Sequence, residues 1–477
     1  MSRSQSPDVE GAAAPTLDPG SFRDWDSRVF YDDGRIRRAL SEDGLADWRA
    51  FAGSRLFAEA VAEGKLVETS ELEGAQVPAG LVRDAAGVLE HERIPFVSYP
   101  YEWPFSMLKD AALLQLELLR RALDEDLILK DATPYNVQFR GAQPVFIDIG
   151  SFERLPAGEP WAAYRQFCML FLYPLLLQAY KGVPFQPWLR GSLAGIQPAE
   201  LRALMSFRDL FRRGVLTNVA LLARFERKGA AKGGEVKAEM KKAGFRKDFI
   251  VANVKRLEKT IRHLEWKAGQ TEWSDYGMTT SYSDSDAVRK EGFVREVVME
   301  RPRDLAWDLG CNEGRHARIA AENTRYVVAV DGDAAVADRL YRTLAEEGAT
   351  SILPLTGDLT DPSPALGWGG LERSPLDARG TPDLVLCLAV IHHVALSGNV
   401  PVPAFLDWLR SLGAELVIEF PTRDDPRVAA ILSRKREGAD PGYDLDVFER
   451  ELGDRYEIAR REELAGGTRI LFHARPR

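Results

Sequence analysis

From Asp304 onward, short apolar runs alternate with amphipathic ones, and this alternation constrains the fold more than any other feature of the chain. "DLAWDLG", "RYVVAVD", "TSILPLTGD", "DLVLCLAV" and "AELVIEF" read as strands. "RHARIAAE", "AAVADRLYRTLAEE" and "PAFLDWLRSL" read as the helices between them. Strands separated by helices build a parallel sheet with crossover connections. The chain closes with "RYEIAR" and "TRILFHA", two strand-like runs expected to form an antiparallel pair. The predicted fold of residues 270–477 is therefore α/β, a doubly wound Rossmann-like sheet with an antiparallel last hairpin.

The full chain of 477 residues is too long for one ordinary domain. Its 45% hydrophobic and 28% charged residues are globular values. A net charge of -9 argues against a general nucleic-acid binder, so no nucleic-acid partner is expected. Cys168, Cys311 and Cys387 are scattered with no CxxC pair, which indicates neither a zinc site nor a disulfide framework and fits a reducing cytoplasm. Residues 1–20 are polar without an apolar core, so they read as a disordered lead-in and not as a secretory signal. "FCMLFLYPLLL", Phe167 to Leu177, is too short to span a bilayer and contains Pro174. It reads as a buried helix, and no transmembrane segment is expected.

Residues 21–226 read as a separate α+β domain. Asp33-Gly34 between "SRVFYD" and "RIRRAL" signals a hairpin. A helix is predicted over Leu45–Glu63, then strands in "GKLVETSEL" and "PFVSYPYEW", then a long core helix in "SMLKDAALLQLELLRRALDE". Residues 227–269 form a basic linker followed by a helix, whose Ile250, Val254, Leu257, Ile261 and Leu264 make one apolar stripe.

Asp308, Gly310, Asn312 and Gly314 form D-x-G-x-N-x-G at the end of the first C-terminal strand. Glycine lets the backbone approach a ligand, and a following helix offers free N–H groups. Asp331 ends the second strand, where an acid can accept both hydroxyls of a ribose. Asp358 follows the third strand and can accept from an adenine amino group. His392 and His393 end the fourth, at the carboxyl edge where ligands bind in such sheets. An NAD-type site would carry G-x-G-x-x-G, and its third glycine is missing here. This order resembles the class I S-adenosylmethionine (SAM)-dependent methyltransferases. The resemblance implies SAM as cofactor and a small-molecule or glycan acceptor. An acceptor hydroxyl then needs a base, and His393, with His392 as alternative, is the candidate. Glu419, ending the fifth strand, is a further polar group at that edge.

A second constellation lies in "LKDATPYNVQFRGAQPVFIDIGSFE", residues 129–153. Asp131 and Asn136 have the spacing D-x-x-x-x-N, followed by a strand and Asp148-Ile149-Gly150. This resembles the catalytic loop and D-F-G turn of the protein-kinase-like superfamily, particularly its small-molecule and sugar kinases. The resemblance implies that Asp131 faces an acceptor hydroxyl and that Asn136 and Asp148 hold Mg²⁺ on ATP. Leu129 stands where that family has histidine, no glycine-rich loop precedes it, and the family's lysine is unassigned, with Arg37, Arg38 and Lys65 as substitutes. An active kinase, a kinase fold without phosphoryl transfer, and an ordinary Asp/Asn turn all stay open. Both halves together resemble kinase–methyltransferases that cap bacterial polysaccharides. "SYPYEWPFSMLKDAAL" and the 129–153 stretch also look like bacterial methyltransferases related to nodulation proteins.

Overall fold

A computed structural model describes residues 15–74, 85–224, 246–268, 284–436 and 442–477. The N-terminal half opens with an antiparallel sheet of order β1-β2-β3-β5-β4. Its strands are β1 (Thr16–Leu17), β2 (Ser27–Asp32), β3 (Arg35–Leu40), β4 (Thr69–Glu71) and β5 (Gly87–His91). β1 lies inside the stretch read as a lead-in and pairs with β2. Asp33 and Gly34 both take positive φ, 48° and 72°, and turn β2 into β3 as an Asp-Gly pair should.

Three local expectations need correction. The single helix over Leu45–Glu63 is two helices, α1 (Glu42–Ala52) and α2 (Arg55–Ala62), because Ser54 caps the second by accepting from the N–H of Phe57. "GKLVETSEL" supplies only the short β4 and a bridge from Leu66 to Phe146. "PFVSYPYEW" is not a strand. Pro95, Pro100 and the following Pro104 lack the N–H a ladder needs, and Pro100–Glu102 forms a 3₁₀ turn instead.

The long helix α3 (Phe105–Asp124) is buried on most sides. It packs against the helix Lys247–Arg262, whose Ile250, Val254, Leu257 and Ile261 are buried with the following Leu264. The described part of the segment read as linker and helix thus packs one apolar stripe into the core; residues 227–245 and 269 lie outside the described residues. Phe167–Leu177 is buried helix, as expected. Among the described residues no helix is long and apolar enough to cross a membrane. Between them run β6 (Leu127–Leu129), β7 (Val137–Arg140), β8 (Gln143–Phe146) and β9 (Phe152–Arg154), paired as β6 with β9 and β7 with β8.

The C-terminal half holds β10 (Arg303–Leu309), β11 (Thr324–Asp331), β12 (Ile352–Thr356), β13 (Leu384–Cys387), β14 (Glu415–Pro421), β15 (Tyr456–Glu463) and β16 (Arg469–Pro476). Their order is β12-β11-β10-β13-β14-β16-β15. The first five are parallel, and β16 enters antiparallel between β14 and β15. Reversal of strand order beside β10 opens a crevice at the carboxyl edge, and this is where a ligand site forms.

The two halves share one core. Tyr326 on β11 donates to the carbonyl of Phe139 at 3.2 Å and accepts from the N–H of Gly141 at 3.0 Å. Gly141 has φ 58°, and a Cβ there would lie 2.6 Å from the carbonyl oxygen of Ala349, so only glycine fits this junction. Asp338 accepts from the N–H of Ser106 at the start of α3, and Asp110 accepts from Tyr341. Arg379 and Glu102 form a buried ion pair, 2.7 Å between Nη1 and Oε2.

Candidate functional site

A cleft of about 460 Å³ opens at the carboxyl ends of β10, β11, β12 and β13. Gly310, Asn312, Asp331, Asp358 and His393 all line it. Its floor is the turn after β10. Gly310 has φ 78°, and a Cβ would come within 2.2 Å of Val390 Cγ2, so no side chain can stand between the turn and the cleft wall. Asn312 also takes positive φ, 47°. Its N–H donates to Asp331 Oδ2 at 2.8 Å, while the N–H of Asp333 donates to Oδ1 at 2.9 Å. The turn and the carboxylate hold each other, and the carboxylate keeps acceptor capacity facing the cleft. Asp358 is fixed by Thr360, which donates its N–H and its hydroxyl to Oδ1 at 2.8 and 2.7 Å.

Two residues of the glycine-turn motif do not line the cleft. Gly314, with φ 78°, caps the helix Arg315–Ala321. Asp308 is buried under the turn, and among the described residues its Oδ2 has no hydrogen-bond partner. Burial pushes its carboxyl up to about 7, against the pull of Lys290. The histidines separate as well. His393 lines the cleft, whereas His392 is fully buried behind it, their ring centroids 3.9 Å apart. Neither ring nitrogen of His392 has a hydrogen-bond partner among the described residues. Burial lowers His393 to about 4, helped by Arg427 and Arg469, so its imidazole is neutral near pH 7. His392 is held well below the ordinary imidazole range, by burial and then by His393.

Glu419 does not face the cleft. It is fully buried and pairs with Lys290 at 2.7 Å and Arg469 at 3.2 Å, and Arg469 also pairs with Asp425 at 2.8 Å. Lys290 comes from the helix Asp284–Met299, so this ionic cluster ties that helix to the sheet. Only a charged residue among the apolar positions of a helix could have signalled it in the sequence. Leu388, Ala389 and Ser397 also line the cleft, and no local pattern marks them.

Asp131, Asn136 and Asp148 come together in the N-terminal half. Asn136 Nδ2 donates to Asp131 Oδ2 at 3.3 Å and to Ser151 Oγ at 3.1 Å, and the Ser151 hydroxyl donates to Asp148. Burial raises the Asp131 carboxyl, and Asp148 adds to the effect. Arg38, from β3, places Nη1 3.0 Å from Asp148 Oδ1. Arg37 pairs with Asp32 and Glu90, and Lys65 with Glu63 and Glu117, so Arg38 alone of the three reaches the cluster. A guanidinium on Asp148, the residue expected to hold the metal, does not fit Mg²⁺ with ATP there. Among the described residues no group of three or more His, Cys, Asp or Glu could hold a metal ion.

No family model matches the chain. The N-methyltransferase NodS of Bradyrhizobium japonicum WM9 aligns over 41% of this chain and 99% of its own, at 11% identity and a TM-score of 0.30. Magnesium protoporphyrin IX methyltransferase of Synechocystis PCC 6803 aligns over 44% and 90%, at 19% identity and a TM-score of 0.29. The sheet order itself, five parallel strands with the antiparallel hairpin entering last, is a doubly wound Rossmann-like one. Nodulation protein NoeA of Rhizobium meliloti strain 1021 is 32% identical over 472 residues, 97% of each chain. Since that similarity runs through both halves and nearly end to end, the chain belongs to the family of the nodulation protein NoeA.

Proposed function

We propose that this chain is a SAM-dependent methyltransferase acting on a hydroxyl of a sugar, phosphosugar or secondary metabolite. The observation that carries the reading is the Asp331 carboxylate, pinned by two backbone N–H groups beside the Gly310 turn that floors the cleft. The residues suit this cofactor. Asp331 would hold the ribose hydroxyls, Asp358 the adenine amino group, and the Gly310–Asn312 turn the chain between sugar and sulfur. Asp308 is buried beneath that turn.

When bound, SAM supplies an activated methyl group, so positioning accounts for much of the rate. His393 lines the same cleft and is neutral at pH 7. One of its ring nitrogens would accept the proton of the acceptor hydroxyl as the O–C bond forms and the methyl's bond to sulfur breaks, leaving the thioether S-adenosylhomocysteine. A base held at about 4 is weak, so its larger contribution is orientation of the acceptor by a hydrogen bond. His392, without access to the cleft, keeps the His393 ring in place by contact.

The N-terminal half, in this reading, is a kinase-like fold that binds acceptor or partner and does not transfer phosphate. The Arg38–Asp148 pair favours this over a second, ATP-dependent activity. The test is incubation of the full chain with isotopically labelled SAM and a panel of sugars, phosphosugars and hydroxylated metabolites, read by mass spectrometry. Label on an acceptor, lost in Asp331→Ala, is the expected result. Failure to bind S-adenosylhomocysteine (SAH) at all would overturn the reading.

A further inference from the structure

Residues 201–224 carry five arginines and a single acid, within a chain whose net charge is -9. Over the same stretch Leu204, Phe207, Phe211, Leu216 and Leu221 face solvent. Phe207 and Phe211 are 73% and 79% exposed, and their rings meet edge to face with centroids 5.4 Å apart. Single exposed apolar side chains are ordinary, but a cluster of this kind marks an interaction surface.

The turn that displays these rings is firmly built. Asp209, the one acid, is buried and locks the 3₁₀ turn Arg208–Phe211. Its Oδ2 accepts from the N–H and hydroxyl of Ser206 at 2.8 and 2.7 Å and pairs with Lys181 at 3.0 Å. Burial works against that charge, yet Ser206 and Lys181 outweigh it and hold the carboxyl at about 2. Arg212 pairs with Asp209 from the other side and lies over the Tyr180 ring. The only negative charge of the stretch is therefore neutralised inward. Outward stand two phenylalanine rings and the exposed Arg208, Arg212 and Arg213.

We propose that this face docks on an anionic lipid surface, with Phe207 and Phe211 entering the headgroup boundary and Arg208, Arg212 and Arg213 meeting lipid phosphates. Aromatic tips ringed by arginine suit that boundary, where apolar burial and attraction to anionic lipid act together. A second copy of the chain is the poorer occupant. A two-fold contact would set these arginines against their own copies.

The experiment is co-sedimentation of the full chain with vesicles of phosphatidylcholine alone or mixed with phosphatidylglycerol. Binding is expected only to the mixed vesicles, and should weaken as salt is raised. Phe207→Ser with Phe211→Ser should lower the partition coefficient by about tenfold, and Arg208→Glu by severalfold. Arg208 has no side-chain partner among the described residues, and the two rings are exposed, so Tm and SAH affinity should stay at wild-type values. Equal binding to both vesicle types, no binding at low salt, or unchanged binding by the variants overturns the proposal. So does light scattering that shows a wild-type oligomer dissolved by the double variant, which would assign the face to a second copy.

Discussion

Asp331→Ala tests the centre of the functional reading. A carboxylate offers about four acceptor sites. The N–H groups of Asn312 and Asp333 take one on each oxygen, at 2.8 and 2.9 Å, which leaves one on each for the two ribose hydroxyls. A hydrogen bond to a charged group contributes about 1.5–3 kcal/mol. Loss of one such bond lowers affinity about tenfold or more, and loss of both about a hundredfold or more. The variant also strands two backbone donors. Both line the cleft, where water can reach them, so this cost should lie at the low end of about 1–3 kcal/mol each and lower Tm by a few degrees. Asp331→Asn keeps the shape but loses the charge and turns an amide toward one of the N–H donors, so it should fall between. Calorimetry with SAH and thermal unfolding of the apo protein separate the two effects. A lowered Tm with SAH affinity within threefold of wild type would falsify the cofactor role and leave Asp331 as a brace for the turn.

Three further outcomes follow from the same geometry. With His393 held at about 4, kcat should be flat in this group from about pH 5 upward and fall below pH 4; an inflection near 6.5 would contradict its burial. The unfolded chain binds more protons at this site between about 6.5 and 4, so His393 contributes stability above that window that is lost as pH falls through it. Lys290→Met leaves Glu419 with one cation fewer and should cost roughly 3–5 kcal/mol in urea denaturation, whereas Lys290→Met with Glu419→Leu should recover much of it; two equally unstable variants would contradict the pairing. Millimolar ATP with Mg²⁺ should produce no thermal shift in the wild type, because Arg38 already sits on Asp148; a shift of several degrees, abolished by Asp148→Asn, would restore the kinase reading.

Read without coordinates, the chain already determines the C-terminal sheet, because strand and helix there are set by local period and by glycines at positive φ. The five parallel strands and the last hairpin fall where the apolar runs place them. Asp331 and Asp358 are legible for the same reason, since the end of a strand is also the edge of the sheet. The sequence alone also lays Asp131, Asn136 and Asp148 on neighbouring elements, a short-range grouping. Only tertiary structure decides what those groups face. His392 and His393 are adjacent in sequence, yet one is sealed in the core and the other opens on the cleft, because both stand on a helical segment after β13, where successive side chains point in different directions. Glu419 looks like a cleft residue until Lys290, 129 positions earlier, closes on it. Arg38 reaches Asp148 from a strand more than a hundred residues away, and so puts a guanidinium where the local motif suggests a metal. Long-range ion pairs leave no periodic trace in a sequence, since each partner alone is simply a charged residue, and the pair exists only once elements distant in the chain have packed together.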